Sequence, residues 1–233
     1  MPAMTTESYP RLLSLAVHEI RTPVGIVGGY LRMLLRDTES TLPARQRRML
    51  EEAEKSCARI GALVAELSDV GRIDAGLVPL AHERFDLFAL LEDVAGKMHE
   101  ASDREVRFEL DGPPSGAPMS GDPARIRESF QSIFRAILRE QPSACTVVAS
   151  RRIALVAGVR AAVVVAAEAS SVQAAYAAAP GPFDEMRGGL GLALPIARRV
   201  IEAHGGSLAA PAASGGEAPG VRSAAIVALP LRS

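Results

Sequence analysis

Residues 13–34, LSLAVHEIRTPVGIVGGYLRML, decide how the chain is read. Leu13, Val17, Ile20, Val24, Val27, Leu31 and Leu34 stand alternately four and three residues apart, the rhythm of an apolar seam along one helix face. The spacing predicts a first helix over about residues 8–37. After the polar segment DTESTLP (37–43) the rhythm returns in Met49, Ala53, Ser56, Ile60, Leu63, Leu67 and Val70, which predicts a second helix over about residues 43–74. Two long helices joined by a short loop form an antiparallel hairpin. A hairpin alone leaves much of its apolar surface in water, and a second copy closing a four-helix bundle is the economical remedy.

Polar groups interrupt the first seam at one place. His18 directly follows Val17 and so points off the seam; Thr22 lies four residues on, and Glu19 three before Thr22, so the three share one polar patch. Pro23 lacks the N–H that would bond the Glu19 carbonyl and loosens the helix one turn beyond His18. An exposed imidazole on a rigid bundle suits nucleophilic chemistry on a macromolecular partner. From these residues alone, a solvated histidine beside a tolerated proline is the commoner reading.

Composition narrows the alternatives. A chain of 233 residues, 48% hydrophobic and 23% charged, buries a real core and has room for one large or two small domains. Its net charge of −1, without any Lys/Arg block, argues against nucleic acid as a partner. Cys57 and Cys145 are far apart, which fits a reducing compartment and opposes a disulfide framework or a zinc site. His82 and His99 have no companions at ligand spacing, so no metal site is expected. The start, MPAMTTESYPRLL, has no signal-peptide pattern, and the most apolar run, IALVAGVRAAVVVAAEA (153–169), is too short and too charged to span a bilayer. The expectation is a cytoplasmic protein whose sensor lies elsewhere.

HEIRTP (18–23) resembles the phospho-acceptor box of bacterial sensor histidine kinases, and it stands where that family carries it, on the first helix of a dimeric hairpin. The likeness continues in FDLFALLEDV (85–94), in GDPARIRESFQSIFRAIL (121–138), in the glycine box and helix GGLGLALPIARRVIEAHGGSL (188–208), and in the last strand AAIVALPL (224–231). It implies an α+β chain. Residues 8–76 would be the dimerisation and histidine phosphotransfer hairpin, a four-helix bundle as a dimer. Residues 84–233 would be an α/β sandwich of the histidine-kinase/GHKL ATPase type, with helices on one face of a mixed sheet. Strands are expected near 104–110, 144–150, 153–158, 161–167, 206–210 and 224–230. The segment ELDGPPSGAPMSG (109–121) reads as a surface loop, AAYAAAPG (174–181) as a short helix or collapsed lid remnant, and PAASGGEAPG (from 211) as a hairpin loop. His204 is expected in the last turn of its helix, where an imidazole suits the dipole, with Gly205 or Gly206 as the left-handed cap.

In this family an exposed imidazole takes the γ-phosphoryl of ATP and passes it to an aspartate on a response-regulator receiver domain. The resemblance makes His18 the phospho-acceptor, Glu19 the carboxylate that orients its ring, and Thr22 the residue that helps water attack the phosphorylated regulator. The nucleotide half departs from the pattern. Ser132 and Ala136 stand where relatives carry the magnesium-binding asparagine helix, flanked by Arg135 and Arg139. The Asp-x-Gly-x-Gly turn is replaced by AEASSVQ (167–173), leaving Glu168 as the one candidate acceptor for adenine. Gly189 and Gly191 of the second glycine box remain as candidate nucleotide contacts, but Arg187 replaces the leading glycine and the preceding lid segment is short. The expected activity is therefore that of a histidine phosphotransferase or response-regulator phosphatase of a phosphorelay. Its partners would be a receiver domain, a second copy of itself and a separate sensor or upstream kinase, and no cofactor is expected. ATP and Mg²⁺ enter only if the chain is instead a working histidine kinase with divergent nucleotide motifs. A non-catalytic interaction module is the third reading.

Overall fold

A computed structural model describes residues 8–37, 42–77, 79–98, 105–212 and 224–231. The chain divides into two compact units, residues 1–78 and 79–233. The centre of the predicted inter-helix loop and most of the loop read after residue 211 lie outside the described residues.

The first unit holds α1 (Ser8–Arg36) and α2 (Ala44–Asp74). A Cβ built on Gly71 would meet the Leu13 side chain at 3.0 Å, one on Gly61 meets Val24 at 3.9 Å, and one on Gly28 meets the Cys57 Sγ at 3.3 Å. These pairs advance along the two helices in opposite directions, so the hairpin is antiparallel. The Cys57 thiol donates to the Val24 carbonyl at 3.2 Å across the same contact.

The seam splits in a way its periodicity did not reveal. On α1, Val17 is buried and Leu13, Val24 and Leu31 are half-buried, whereas Ile20, Val27 and Leu34 are exposed. On α2 the buried residues are Cys57, Val64 and Val70; Cys57 and Val64, with Gly61 and Gly71 that also meet α1, lie one position on from the expected stripe, of which Val70 is buried while Met49 and Ile60 are exposed. The physical reason is size. Glycine and cysteine let two helices approach closely, while the larger residues beside them are left for another surface.

The second unit is an α/β sandwich. It comprises β1 (Glu83–Asp86), α3 (Leu87–Ala95), β2 (Arg107–Asp111), β3 (Pro118–Gly121), α4 (Pro123–Glu140), β4 (Thr146–Val156), β5 (Val159–Glu168), α5 (Val172–Ala177), β6 (Pro180–Gly181), α6 (Ala193–Ala203), β7 (Ser207–Pro211) and β8 (Ala225–Pro230). Six strands form one mixed sheet in the order β2-β4-β5-β8-β7-β6; only the β2–β4 pair is parallel. β1 and β3 make a separate antiparallel pair. Side chains at both helix entrances are local and strong. The Asp86 carboxylate accepts from the Phe88 and Ala89 N–H groups to start α3, and Asp122 accepts from Arg125 N–H, with Pro123 at the first position of α4.

The main core lies between one sheet face and α3, α4 and α6, with Phe88, Leu91, Phe130, Phe134, Leu194 and Ile201 fully buried. The expectation of helices on one face only is corrected by α5. Ala162, Val164 and Ala166 of β5 point into the main core, whereas Val163, Val165 and Ala167 point the other way and pack with Val172 and Ala175 of α5.

Three strand expectations also change. The two strands near 144–150 and 153–158 are one, β4, because Arg151 does not break it. Its guanidinium is buried and donates to the Phe88 carbonyl at 2.9 Å, to Glu92 and to the Gly112 carbonyl at 3.3 Å. The loop read over 109–121 contains the end of β2 and all of β3, and AAYAAAPG holds the greater part of α5 and then β6. His204 caps α6 but not as a cation. The Asp122 N–H can only donate, so His204 Nε2 accepts it at 2.9 Å; Nδ1 therefore carries the proton and donates to the Val200 carbonyl at 2.7 Å. Gly205, at φ +77°, provides the left-handed turn that follows.

Candidate functional site

His18, Glu19 and Thr22 all lie exposed on α1, which runs unbroken through Pro23. Val17 faces α2, and one helical step of about 100° carries His18 to the side away from Ile20, Val27 and Leu34. The Thr22 hydroxyl reaches back to the His18 carbonyl at 3.5 Å, a long bond that leaves its lone pairs toward water. Beyond it on the same side come Gly25 and Gly29, where a Cβ would meet nothing within 4 Å. The imidazole thus stands at one end of a bare strip of helix, reachable by a bulky partner. Ile26 and Met33, 53% and 68% exposed, border this strip.

The second unit carries the candidate nucleotide residues. Glu168 ends β5 half-buried, and its carboxylate accepts from the Ser170 hydroxyl at 3.1 Å. Burial, with the nearby Glu168 charge adding to it, pushes the Cys145 thiol above its ordinary pKa. Gly189 and Gly191 precede α6 with φ of +60° and +64°, and Gly188 joins them at +66°. Such conformations suit glycine, so the box is retained as backbone geometry.

What the box packs against was not legible in the motif. A Cβ built on Gly188 would fall 2.8 Å from the Cα of Ala136, which is fully buried in α4. Arg139 donates to the Gly188 carbonyl at 3.4 Å, and Arg187 is buried beside the Glu140 carboxylate, with its Nε 3.0 Å from each oxygen. Ser132 donates to the Glu128 carbonyl at 2.9 Å, within its own helix, and Arg135 is exposed. Glu140 and Phe183 are residues that sequence reasoning missed. An ion pair across 47 residues leaves no periodic signal. Among the described residues there is no cluster of His, Cys, Asp and Glu able to hold a metal ion, and no helix long and apolar enough to cross a membrane.

Comparison with known proteins places this geometry. Residues 11–76 match the His Kinase A (phospho-acceptor) domain. The chain is 28% identical over 204 residues to the sensor protein GacS of Pseudomonas syringae pv. syringae, covering 82% of this chain and 22% of that protein. It is 27% identical to the probable sensor histidine kinase TcrY of Mycobacterium tuberculosis, covering 86% of this chain and 42% of the relative. The chain therefore spans less than half the length of either relative. In fold it resembles full-length ShkA in complex with AMPPNP (TM-score 0.66, 22% identity, 96% of this chain and 46% of that one). It also resembles the Acinetobacter baumannii histidine kinase AdeS (TM-score 0.57, 19% identity, 93% of this chain and 98% of that one). A matched phospho-acceptor domain at the hairpin and relatives that run on through the second unit give one conclusion: residues 11–76 carry a His Kinase A domain, and the chain as a whole is similar to bacterial sensor histidine kinases.

Proposed function

We propose that this chain is a dimeric histidine phosphotransferase or response-regulator phosphatase of a cytoplasmic phosphorelay, exchanging a phosphoryl group between His18 and a receiver-domain aspartate without using ATP. One contrast carries the reading: an open imidazole inside the matched phospho-acceptor domain, and a glycine-rich segment packed shut against a buried alanine.

In the transfer direction, the P–O bond of an aspartyl phosphate breaks as a P–N bond forms at an unprotonated nitrogen of His18. Glu19 orients the ring by accepting the N–H of the other nitrogen. In the hydrolytic direction, the Thr22 hydroxyl holds a water in line with the acyl phosphate. On the nucleotide side, Ala136 offers no oxygen to a metal, Glu168 is engaged with Ser170, and the Gly188 backbone lies against α4. These features oppose a bound nucleotide, so the phosphoryl donor is a receiver domain served by a separate sensor or upstream kinase.

Two separate apolar faces support two partners. Helical phase puts Ile20, Val27 and Leu34 of α1 on the same side of the hairpin as Met49 and Ile60 of α2, which suits closure by a second copy. That closure does not cover Ile26 and Met33, which stand about 80° or more further round α1. They lie around the strip that holds His18, Gly25 and Gly29, and suit docking of a receiver domain.

The test is a pair of labelling reactions on the purified chain, one with γ-labelled ATP and Mg²⁺ and one with a panel of phosphorylated receiver domains, each with His18→Ala as control. Label exchanged only with a receiver and lost in His18→Ala is the expected result. Label on His18 from ATP would make the chain a working kinase, and no exchange in either reaction would make it an interaction module.

A further inference from the structure

Arg187 occupies the place of the leading glycine of the box, yet its side chain points inward. Its Nε lies 3.0 Å from both Glu140 carboxylate oxygens, a terminal nitrogen also bonds that carboxylate, and the other donates to the Ala224 carbonyl at 3.5 Å. The guanidinium stands 5.0 Å from the centroid of the Phe183 ring. One residue on, the Gly188 carbonyl accepts from Arg139, and the Gly188 backbone sits against Ala136. The segment is held to the last turns of α4 from both sides.

We infer that Arg187 and Glu140 form a latch that closes the glycine-rich segment on α4, so that a nucleotide site is occupied by the chain itself. Glu140 is the last residue of α4, where the helix carbonyls favour a cation, and Arg187 lies across that end. An incoming phosphate would have to displace the Glu140 carboxylate from a guanidinium whose side chain is 6% exposed, leaving a carboxylate uncompensated. Gly188 compounds the closure, because a Cβ there would fall 2.8 Å from the Ala136 Cα and 3.0 Å from its Cβ, which leaves no room between the segment and α4. The latch is separate from the chemistry at His18, though its meaning for function rests on the ATP-independent reading above.

Amide hydrogen exchange on the full chain tests it, following residues 187–192 with α3 as the internal reference, with and without Mg²⁺–ADP. In the wild type, exchange in this segment is expected to be slow and indifferent to ADP. Glu140→Gln, which keeps the shape but removes the charge, should speed exchange across 187–192 at least about tenfold while α3 is unchanged. If Glu140→Gln does not fold, Arg187→Lys, which keeps the charge but loses the fork, should speed the same amides. Unchanged exchange in a folded variant overturns the latch and leaves the ATP-independent reading standing. Protection of the wild-type segment by ADP overturns both.

Discussion

The imidazole Nε2 of His204, at the end of α6, accepts the backbone N–H of Asp122 at the start of α4 at 2.9 Å, joining the two helices that flank the glycine-rich segment. The ring is buried, and a Cβ on Gly121 would fall 2.4 Å from its Cδ2, so the chain passes close against that edge of the imidazole. His204→Ala leaves the buried Asp122 N–H without its acceptor and opens a void, at a cost of about 1–3 kcal/mol. Gly121→Ala, with no room for its methyl group, should destabilise as much or more. Urea denaturation of each variant against the wild type checks both, and a loss below about 0.5 kcal/mol would remove His204 from the structural account.

Asp86 makes the second unit sensitive to acid. Burial of its carboxylate disfavours the charge, but the N–H groups of Gly116, Ala89, Ala117 and Phe88 outweigh that cost and hold the pKa below the ordinary aspartate value. A group with a lowered folded pKa contributes stability that is present above its unfolded pKa of about 3.9 and is lost as the pH falls through the folded value. Wild-type stability should therefore fall more steeply below about pH 4 than that of Asp86→Asn, which caps α3 without titrating. Asp86→Ala should cost about 0.5–2 kcal/mol at neutral pH. Urea midpoints measured across the acid range give both results.

How much could be read beforehand depended on how local the cause was. The hairpin, the Asp122-Pro123 start of α4 and the left-handed glycine after α6 each rest on residues a few positions apart, and each is visible in one window of sequence. On α1 the seam residues Leu13, Val17, Val24 and Leu31 were legible as the inner face, but Gly28, Gly61 and Gly71, which let the helices meet, carry no hydrophobic signal. β5 reads as a continuous apolar run because both of its faces are buried, so nothing in it announced that α5 would cover the second face. The two strands expected near 144–150 and 153–158 left Arg151 outside either, and the partners that hold it inside β4, Phe88, Glu92 and Gly112, are distant in sequence. For the candidate site, HEIRTP and the altered nucleotide boxes were legible, but the packing of Gly188 on Ala136 and the pairing of Arg187 with Glu140 belong to the folded chain alone.

The exposed stripe on the hairpin gives a test of assembly. Val27 is 51% exposed in the single chain, so Val27→Glu disturbs little within one copy. In a closed bundle the new carboxylate would be buried in apolar surroundings, near its symmetry mate. Dimer dissociation should rise at least about a hundredfold, about 2.7 kcal/mol, without loss of helix content. Sedimentation equilibrium with circular dichroism reads both quantities. A Val27→Glu protein as dimeric as the wild type would move the interface elsewhere.

If the proposed function holds, Thr22 should separate the two directions of phosphoryl flow. Its hydroxyl lies one turn beyond His18 and bonds the backbone weakly, at 3.5 Å, so it is available to a water but is not itself the acceptor nitrogen. Thr22→Ala should slow hydrolysis of a phosphorylated receiver about 10²- to 10⁴-fold, the range for losing a positioned proton-handling group, while leaving transfer to His18 within a few-fold of wild type. His18→Ala should abolish transfer altogether. Both positions are exposed, so neither change should alter folding stability by more than about 0.5 kcal/mol. Following phosphoimidazole and free phosphate in the same time course distinguishes the steps. Equal loss of transfer and hydrolysis in Thr22→Ala would mean that the threonine serves receiver docking and not the attacking water.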